Sequence, residues 1–282
     1  MMLKRFSLYW LFVFAVTLAG CMPIKFGPGT GYEIRGNKVY YSRFGGGYQR
    51  YVIPTLLSEA DARTFQILDP FGYAKDASHA FYEGKAIANA EAATFEISGC
   101  GYARDHQHVY FYGTVIEGAQ AASFKLIGAC YALDDQHVYL GGAVIENAHP
   151  DSFEFLLSSG AHAGIYARDD QHVYRLGVVI ESAQPDSFEV LGDAGCHGQG
   201  ESYTRDKQNV YFSGEVIPGA EPETFQMLGG CGYAKDSKRA YFESRVIDGA
   251  DLRTFQILGD SQARDKNNCY RYGFVLSLEE CN

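Results

Sequence analysis

No pair of cysteines in the sequence is spaced Cys-x-x-Cys. That absence argues against a zinc ribbon and against a thioredoxin-like redox centre. Two other signatures are missing: the Gly-x-Ser-x-Gly nucleophile elbow and the Gly-x-x-x-x-Gly-Lys-Ser/Thr phosphate loop. Basic excess is missing too, since Lys+Arg 24 face Asp+Glu 34 for a net charge of −10. So acidic a surface argues against nucleic acid and against electrostatic binding to anionic lipid. Tryptophan occurs once, whereas tyrosine (21), phenylalanine (19) and glycine (32) are abundant. Aromatics with frequent glycines favour short strands and tight turns over long helices. The 282 residues suffice for one large domain or two ordinary ones, and 46% hydrophobic with 21% charged residues marks a folded chain.

The first residues read as a targeting segment. Lys4 and Arg5 precede an apolar run from Phe6 to Ala19. The run is shorter than the roughly 20 residues a membrane-spanning helix needs, so an uncleaved anchor is the weaker alternative. It ends in Leu-Ala-Gly-Cys, Leu18 to Cys21, which resembles the lipobox of bacterial lipoproteins. The resemblance implies that Cys21 is lipidated on its sulfur, carries acyl chains such as palmitate, and becomes the mature N-terminus. Two or more chains make a stable membrane anchor without a span. The expected organisation is a signal peptide over 1–20, a lipidated cysteine and linker over 21–31, and a single β-repeat domain over 32–282. Lipobox processing at the export face implies an extracytoplasmic protein. Met22 after the cysteine, by similarity to enterobacterial sorting, points to the outer membrane. The mature chain then keeps 22 basic against 34 acidic side chains, a balance that serves solubility.

The rest of the chain repeats one phrase. "YARDHQHVYFYGTVIEGAQAASF" from Tyr102 returns as "YARDDQHVYRLGVVIESAQPDSF" from Tyr166. Its aspartate falls at Asp76, Asp105, Asp134, Asp169, Asp206, Asp236 and Asp265, at intervals of 29 to 37 residues. Periods of that size mark an array of supersecondary units. The longer intervals hold loops at 158–164 and 193–202, and a degenerate unit over 32–68 carries a Gly-rich insertion at 45–47. Four residues after each aspartate comes an apolar pair such as Val109–Tyr110, which reads as a strand covered on both faces. A glycine follows (84, 113, 142, 177, 214, 273; Ser244 is the exception), as in a hairpin turn needing positive φ. A β-branched pair such as Val115–Ile116 makes a second strand. "A-x-x-x-S/T-F" comes next, suiting a short helical turn whose phenylalanine plugs the core. A third short strand, such as "FQILG" from Phe255, leads onward.

The expected fold is all-β with short helical turns: about eight three-stranded meander repeats in an open, β-solenoid-like array, with a closed β-propeller as the alternative. Here the chain resembles a family. "TRDKQNVYFSG" from Thr204 and "ARDKNNCYRYG" from Ala263 are similar to the DKNYY family of bacterial envelope proteins. Asp265-Lys266-Asn267 reproduces the first three letters of its signature, while most units keep the Asp and the Val-Tyr. The resemblance implies class and location, and no enzymatic activity or cofactor transfers with it.

Candidate chemistry rests with the cysteines, histidines, aspartates and tyrosines. Setting Cys21 aside leaves Cys100, Cys130, Cys196, Cys231, Cys269 and Cys281, an even number that suits disulfides in an oxidising compartment. Near-equivalent positions in adjacent units favour 100–130 and 196–231, and 269–281 would tie down the C-terminus. His79, His108, His137 and His172 share one slot, where His108, His137 and His172 would form a metal-binding ladder. Asn209, Arg239 and Asn268 fill the same slot elsewhere, so a tight turn with positive φ is the favoured reading. Seven equivalent aspartates cannot all be one active site, and backbone N–H bonds in a turn explain them better. Adjacent acids at Asp134–Asp135 and Asp169–Asp170 lack the pattern of a calcium loop. Tyr82, Tyr112 and Tyr272 vary between units and are the candidate binding surface. Together these readings point to a non-enzymatic binding or scaffold module, joined to the membrane through Cys21 and engaging envelope proteins or glycans. A periplasmic metal-binding protein is the alternative.

Overall fold

The computed structural model describes residues 31–43, 54–69, 72–156, 165–193, 201–229, 231–259 and 261–276. The signal segment with Cys21, the insertion at 45–47, Cys196, Cys281 and most of the two long loops lie outside them. The described residues form eight separate antiparallel sheets in tandem, and none closes into a barrel. The first has three strands: Gly31–Arg35, Lys38–Ser42 and Thr55–Leu57. Each of the other seven is a four-stranded meander in which sequence neighbours pair. The chain divides into two compact units, Met1–Glu146 and Asn147–Asn282, with four sheets in each.

The third sheet shows the pattern, with strands Glu96–Gly99, Tyr102–Arg104, Val109–Phe111 and Thr114–Val115. The sequence reading expected three strands per unit. The extra one is the Tyr-Ala-Arg of the repeated phrase itself, three residues long and paired Tyr102 to Phe111, Ala103 to Tyr110 and Arg104 to Val109. A small residue thus lies opposite a large one, and Tyr102, Ala103, Val109 and Tyr110 are all fully buried.

Both faces are covered because the sheets stack. Tyr102 and Val109 cluster with Ala132 and Tyr139 of the next sheet, together with Ile116, Ala121 and Phe124. On the other face, Ala103 and Tyr110 cluster with Tyr73, Ala80, Ile87 and Phe95 from the unit before. Phe124 fills the layer as expected, its ring 5.4 Å from Tyr102 and 5.8 Å from Tyr139. Burying such a ring stabilises by about 1.5–3 kcal/mol. Within each compact unit the same face of one motif therefore meets the opposite face of the next, which lets a repeat too small for its own core share one.

The third and fourth strands join through two residues in the left-handed region. Tyr112 has φ +48° and Gly113 +75°, a type I′ hairpin. Gly113 is needed on a second count: a Cβ there would lie 2.6 Å from Tyr82 Cβ. The "A-x-x-x-S/T-F" segments are single turns, and Pro185–Ser187 is a short 3-10 helix. Among the described residues no helix is long and apolar enough to cross a membrane.

The histidine slot departs from expectation. None of His79, His108, His137 and His172 lies among the positive-φ residues, and neither do Asn209, Arg239 and Asn268. The aspartate shapes this loop instead, which frees the slot from any need for left-handed backbone.

Candidate functional site

Asp105 shows what the repeated aspartate does. Its Oδ1 accepts the backbone N–H groups of Gln107 (2.8 Å) and His108 (2.7 Å). Its Oδ2 accepts the N–H of Glu91 (2.9 Å), in the turn of the preceding unit, and the hydroxyl of Tyr110 (2.7 Å). Asp134, Asp169, Asp206, Asp236 and Asp265 hold the same set, and Asp76 lacks only the hydroxyl, because Phe81 stands in the tyrosine position. Burial alone would raise the Asp105 carboxyl. The N–H groups and the Tyr110 hydroxyl outweigh burial and hold it below the usual range. These oxygens are spent on structure, as the sequence reading expected.

Two further letters of the phrase tie unit to unit. Tyr73 Oη donates to the carbonyl of Gly101 (2.9 Å) and accepts the N–H of Gly113 (2.8 Å), both one unit onward. Tyr32 does the same with Gly72 and Gly84. The Ser/Thr before each phenylalanine accepts the N–H that follows the next aspartate, as Thr94 does from His106 (3.2 Å) and Ser123 from Asp135 (3.1 Å).

Around those bonds lies a row of charge pairs. Glu91 meets His106, Glu221 meets Lys238, and Asp251 meets Lys266. At one place the polarity is reversed: His149 Nδ1 lies 2.7 Å from Asp170 Oδ1, and Ser152 Oγ donates to that oxygen at 3.0 Å. The hydrogen bond to Asp170 raises the His149 imidazole above its ordinary range, while His149 and Ser152 hold Asp170 below its own. His149, Asp169 and Asp170 are the group of three among the described residues whose ligand atoms lie close enough to hold a metal ion. The expected ladder residues do not belong to it. His108, His137 and His172 each face their own aspartate, with Nδ1 at 3.6, 3.7 and 3.7 Å. Sequence reasoning missed His149, which lies twenty residues before Asp169; aligning the position three before each Ser/Thr would have found it.

The tyrosines of interest are divided. Tyr82 is half-buried in a strand. Tyr112 and Tyr272 occupy the first turn position rather than a strand, with φ +48° and +50°, and are 46% and 47% exposed. The Tyr112 ring covers Gly101, where an added Cβ would lie 2.5 Å from its Cε1.

Cys100 and Cys130 form a disulfide with Cα atoms 5.4 Å apart, joining corresponding turns of adjacent units. Cys231 and Cys269 each take part in a disulfide as well; Cys196 and Cys281, the other members of the expected pairs 196–231 and 269–281, lie outside the described residues.

The family model of the DKNYY family matches residues 25–114 and 102–244. The chain belongs to the DKNYY family. No curated protein and no solved structure matches it significantly. In DKNYY terms, the Asp of the signature is the four-bond acceptor. The first of the two Tyr-like positions after Val is its hydroxyl partner, as Tyr110 is to Asp105. The second, held by Tyr82, Phe111 and Phe212, packs on the next hairpin in the pairs Tyr82–Gly113 and Phe111–Gly142.

Proposed function

We propose that this DKNYY protein is a lipid-anchored, extracytoplasmic scaffold of the bacterial envelope, probing its surroundings through side chains at its hairpin turns rather than turning over a substrate. One observation carries the reading. The polar residues that recur in every unit are consumed by bonds to backbone, so the positions left to meet a partner are the variable ones, such as Tyr112 and Tyr272. Exposed aromatic rings on a rigid turn suit protein or glycan surfaces. The Cys100–Cys130 disulfide supports an oxidising compartment. The lipobox at Cys21 supports the anchor, and Met22 the outer membrane.

The test is crosslinking in intact source cells, followed by pull-down of wild type, Cys21→Ser and the double variant Tyr112→Ser/Tyr272→Ser. The reading expects wild type to fractionate with the outer membrane and to retain a reproducible envelope partner. Cys21→Ser should leave the membrane fraction, and the tyrosine variant should stay anchored and lose the partner. Fractionation of wild type with the cytosol would overturn it, as would partner capture indifferent to both changes.

A further inference from the structure

The reversed charge pair has a property its counterparts lack. Where Glu91 faces His106, or Asp251 faces Lys266, the pair is one acid and one base. Two carboxylates and two imidazoles gather at His149, as they do at Glu91 with Asp105, His106 and His108, but at His149 the ligand atoms are close enough to share one ion. His149 Nδ1, Asp170 Oδ1 and an Asp169 oxygen lie within 4.8 Å of one another. The His172 ring stands edge-on to the His149 ring at 6.4 Å; its Nδ1, 3.7 Å from Asp169 Oδ1, is buried without a hydrogen-bond partner, as are those of His79 and His108. Imidazole and carboxylate donors bind a zinc-class ion at about 2.0–2.2 Å, which places neighbouring ligand atoms roughly 3–4 Å apart. The His149–Asp170 pair is already that close, and both side chains are exposed enough to adjust, at 42% and 60%.

Asp169 can contribute although its carboxylate is buried. The Tyr174 hydroxyl donates to Asp169 Oδ2 at 2.6 Å, and it has a second acceptor in the Asn147 carbonyl at 3.2 Å. Shifting that hydroxyl to Asn147 frees a lone pair without orphaning a donor. We propose that His149, Asp169 and Asp170, with His172 beside them, form a binding site for one divalent transition-metal ion of the zinc class. The ion displaces the proton shared between His149 and Asp170, and water completes its coordination on the open side. Imidazole selects zinc, nickel or copper over calcium and magnesium, which prefer oxygen. The site is independent of the anchor and of any partner.

The repeat supplies substitutions that the architecture already tolerates. His149→Gln places there the residue of Gln120 and Gln184, Asp170→Lys that of Lys207 and Lys266, and His172→Asn that of Asn209 and Asn268. None touches the structural bond at this position, because Asp169 is held by the His149 backbone N–H rather than its ring. The experiment is calorimetric titration of Zn²⁺ into the purified full chain, free of any histidine tag. It is run on wild type, on these three variants and on His106→Gln as a control, with thermal melts verifying the fold. Wild type and His106→Gln should share a zinc equivalent that His149→Gln and Asp170→Lys lose or bind about tenfold or more weakly, a shift of about 1.4 kcal/mol. Calcium should show no such difference. His172→Asn should weaken the same equivalent. Zinc binding by His149→Gln and Asp170→Lys with the affinity and stoichiometry of wild type would overturn the site, as would no zinc binding by wild type.

Discussion

The hydroxyl of Tyr73 lies 2.8 Å from the N–H of Gly113, forty residues onward and one sheet further along. With its second bond, to the carbonyl of Gly101, it ties its own sheet to the next one, with which it shares no strand pairing. Deleting this buried hydroxyl is costly because the Gly113 N–H loses its partner, although the Gly101 carbonyl keeps the Tyr112 N–H. Tyr73→Phe is therefore expected to destabilise by about 1–3 kcal/mol. The exposed Tyr112→Phe should stay within about 0.5 kcal/mol of wild type. Urea denaturation followed by circular dichroism separates the two.

Two glycines predict a graded result. Gly113 and Gly118 have φ of +75° and +81°, so alanine is strained at either. A Cβ at Gly118 meets nothing within 4 Å, whereas at Gly113 it runs into Tyr82. Gly118→Ala should cost about 1 kcal/mol and Gly113→Ala clearly more, because backbone strain is joined by a clash. Equal midpoints for the two variants would remove the packing role assigned to Tyr82.

Acid should unfold the protein through its aspartates. Burial would raise the carboxyls of Asp76, Asp105, Asp134, Asp169, Asp236 and Asp265, but the hydrogen bonds they accept prevail and hold all six below the usual range. A depressed folded-state value means stability that is fully present above the unfolded value of about 3.9 and lost as pH falls through the folded one. The urea midpoint should thus change little from these groups between neutrality and about pH 5, then drop steeply below about pH 4. Asp105→Asn should flatten part of that drop.

The Cys100–Cys130 bridge closes a sequence separation of 30 residues. Loop-closure entropy puts its contribution at about 3–4 kcal/mol. The double variant Cys100→Ser/Cys130→Ser should lose about that much in denaturant titrations while keeping its β-sheet spectrum.

Much of this fold is legible in the sequence because a repeat states each requirement several times. The period, the left-handed glycines, the phenylalanine between sheets and the pairing of Cys100 with Cys130 all follow from position within a unit. The strand Tyr102–Arg104 does not, since three residues are too few to show a period of two and its recurring letters read as a turn motif. The histidine slot misled for another reason. His and Asn suggest left-handed backbone, yet here the neighbouring aspartate already fixes the loop by accepting its N–H groups. The bonds of Tyr73 and the approach of His149 to Asp170 depend on stacking of one unit on the next, which no local pattern records.

The central claim is that the repeated aspartate joins units rather than performing chemistry, and residue-resolved hydrogen exchange on Asp105→Ala tests it most directly. The account predicts that the amides of Gln107 and His108 lose protection, and with them that of Glu91, fourteen residues upstream in the preceding unit. Protection at Glu91 equal to wild type, with only the local loop affected, would contradict it.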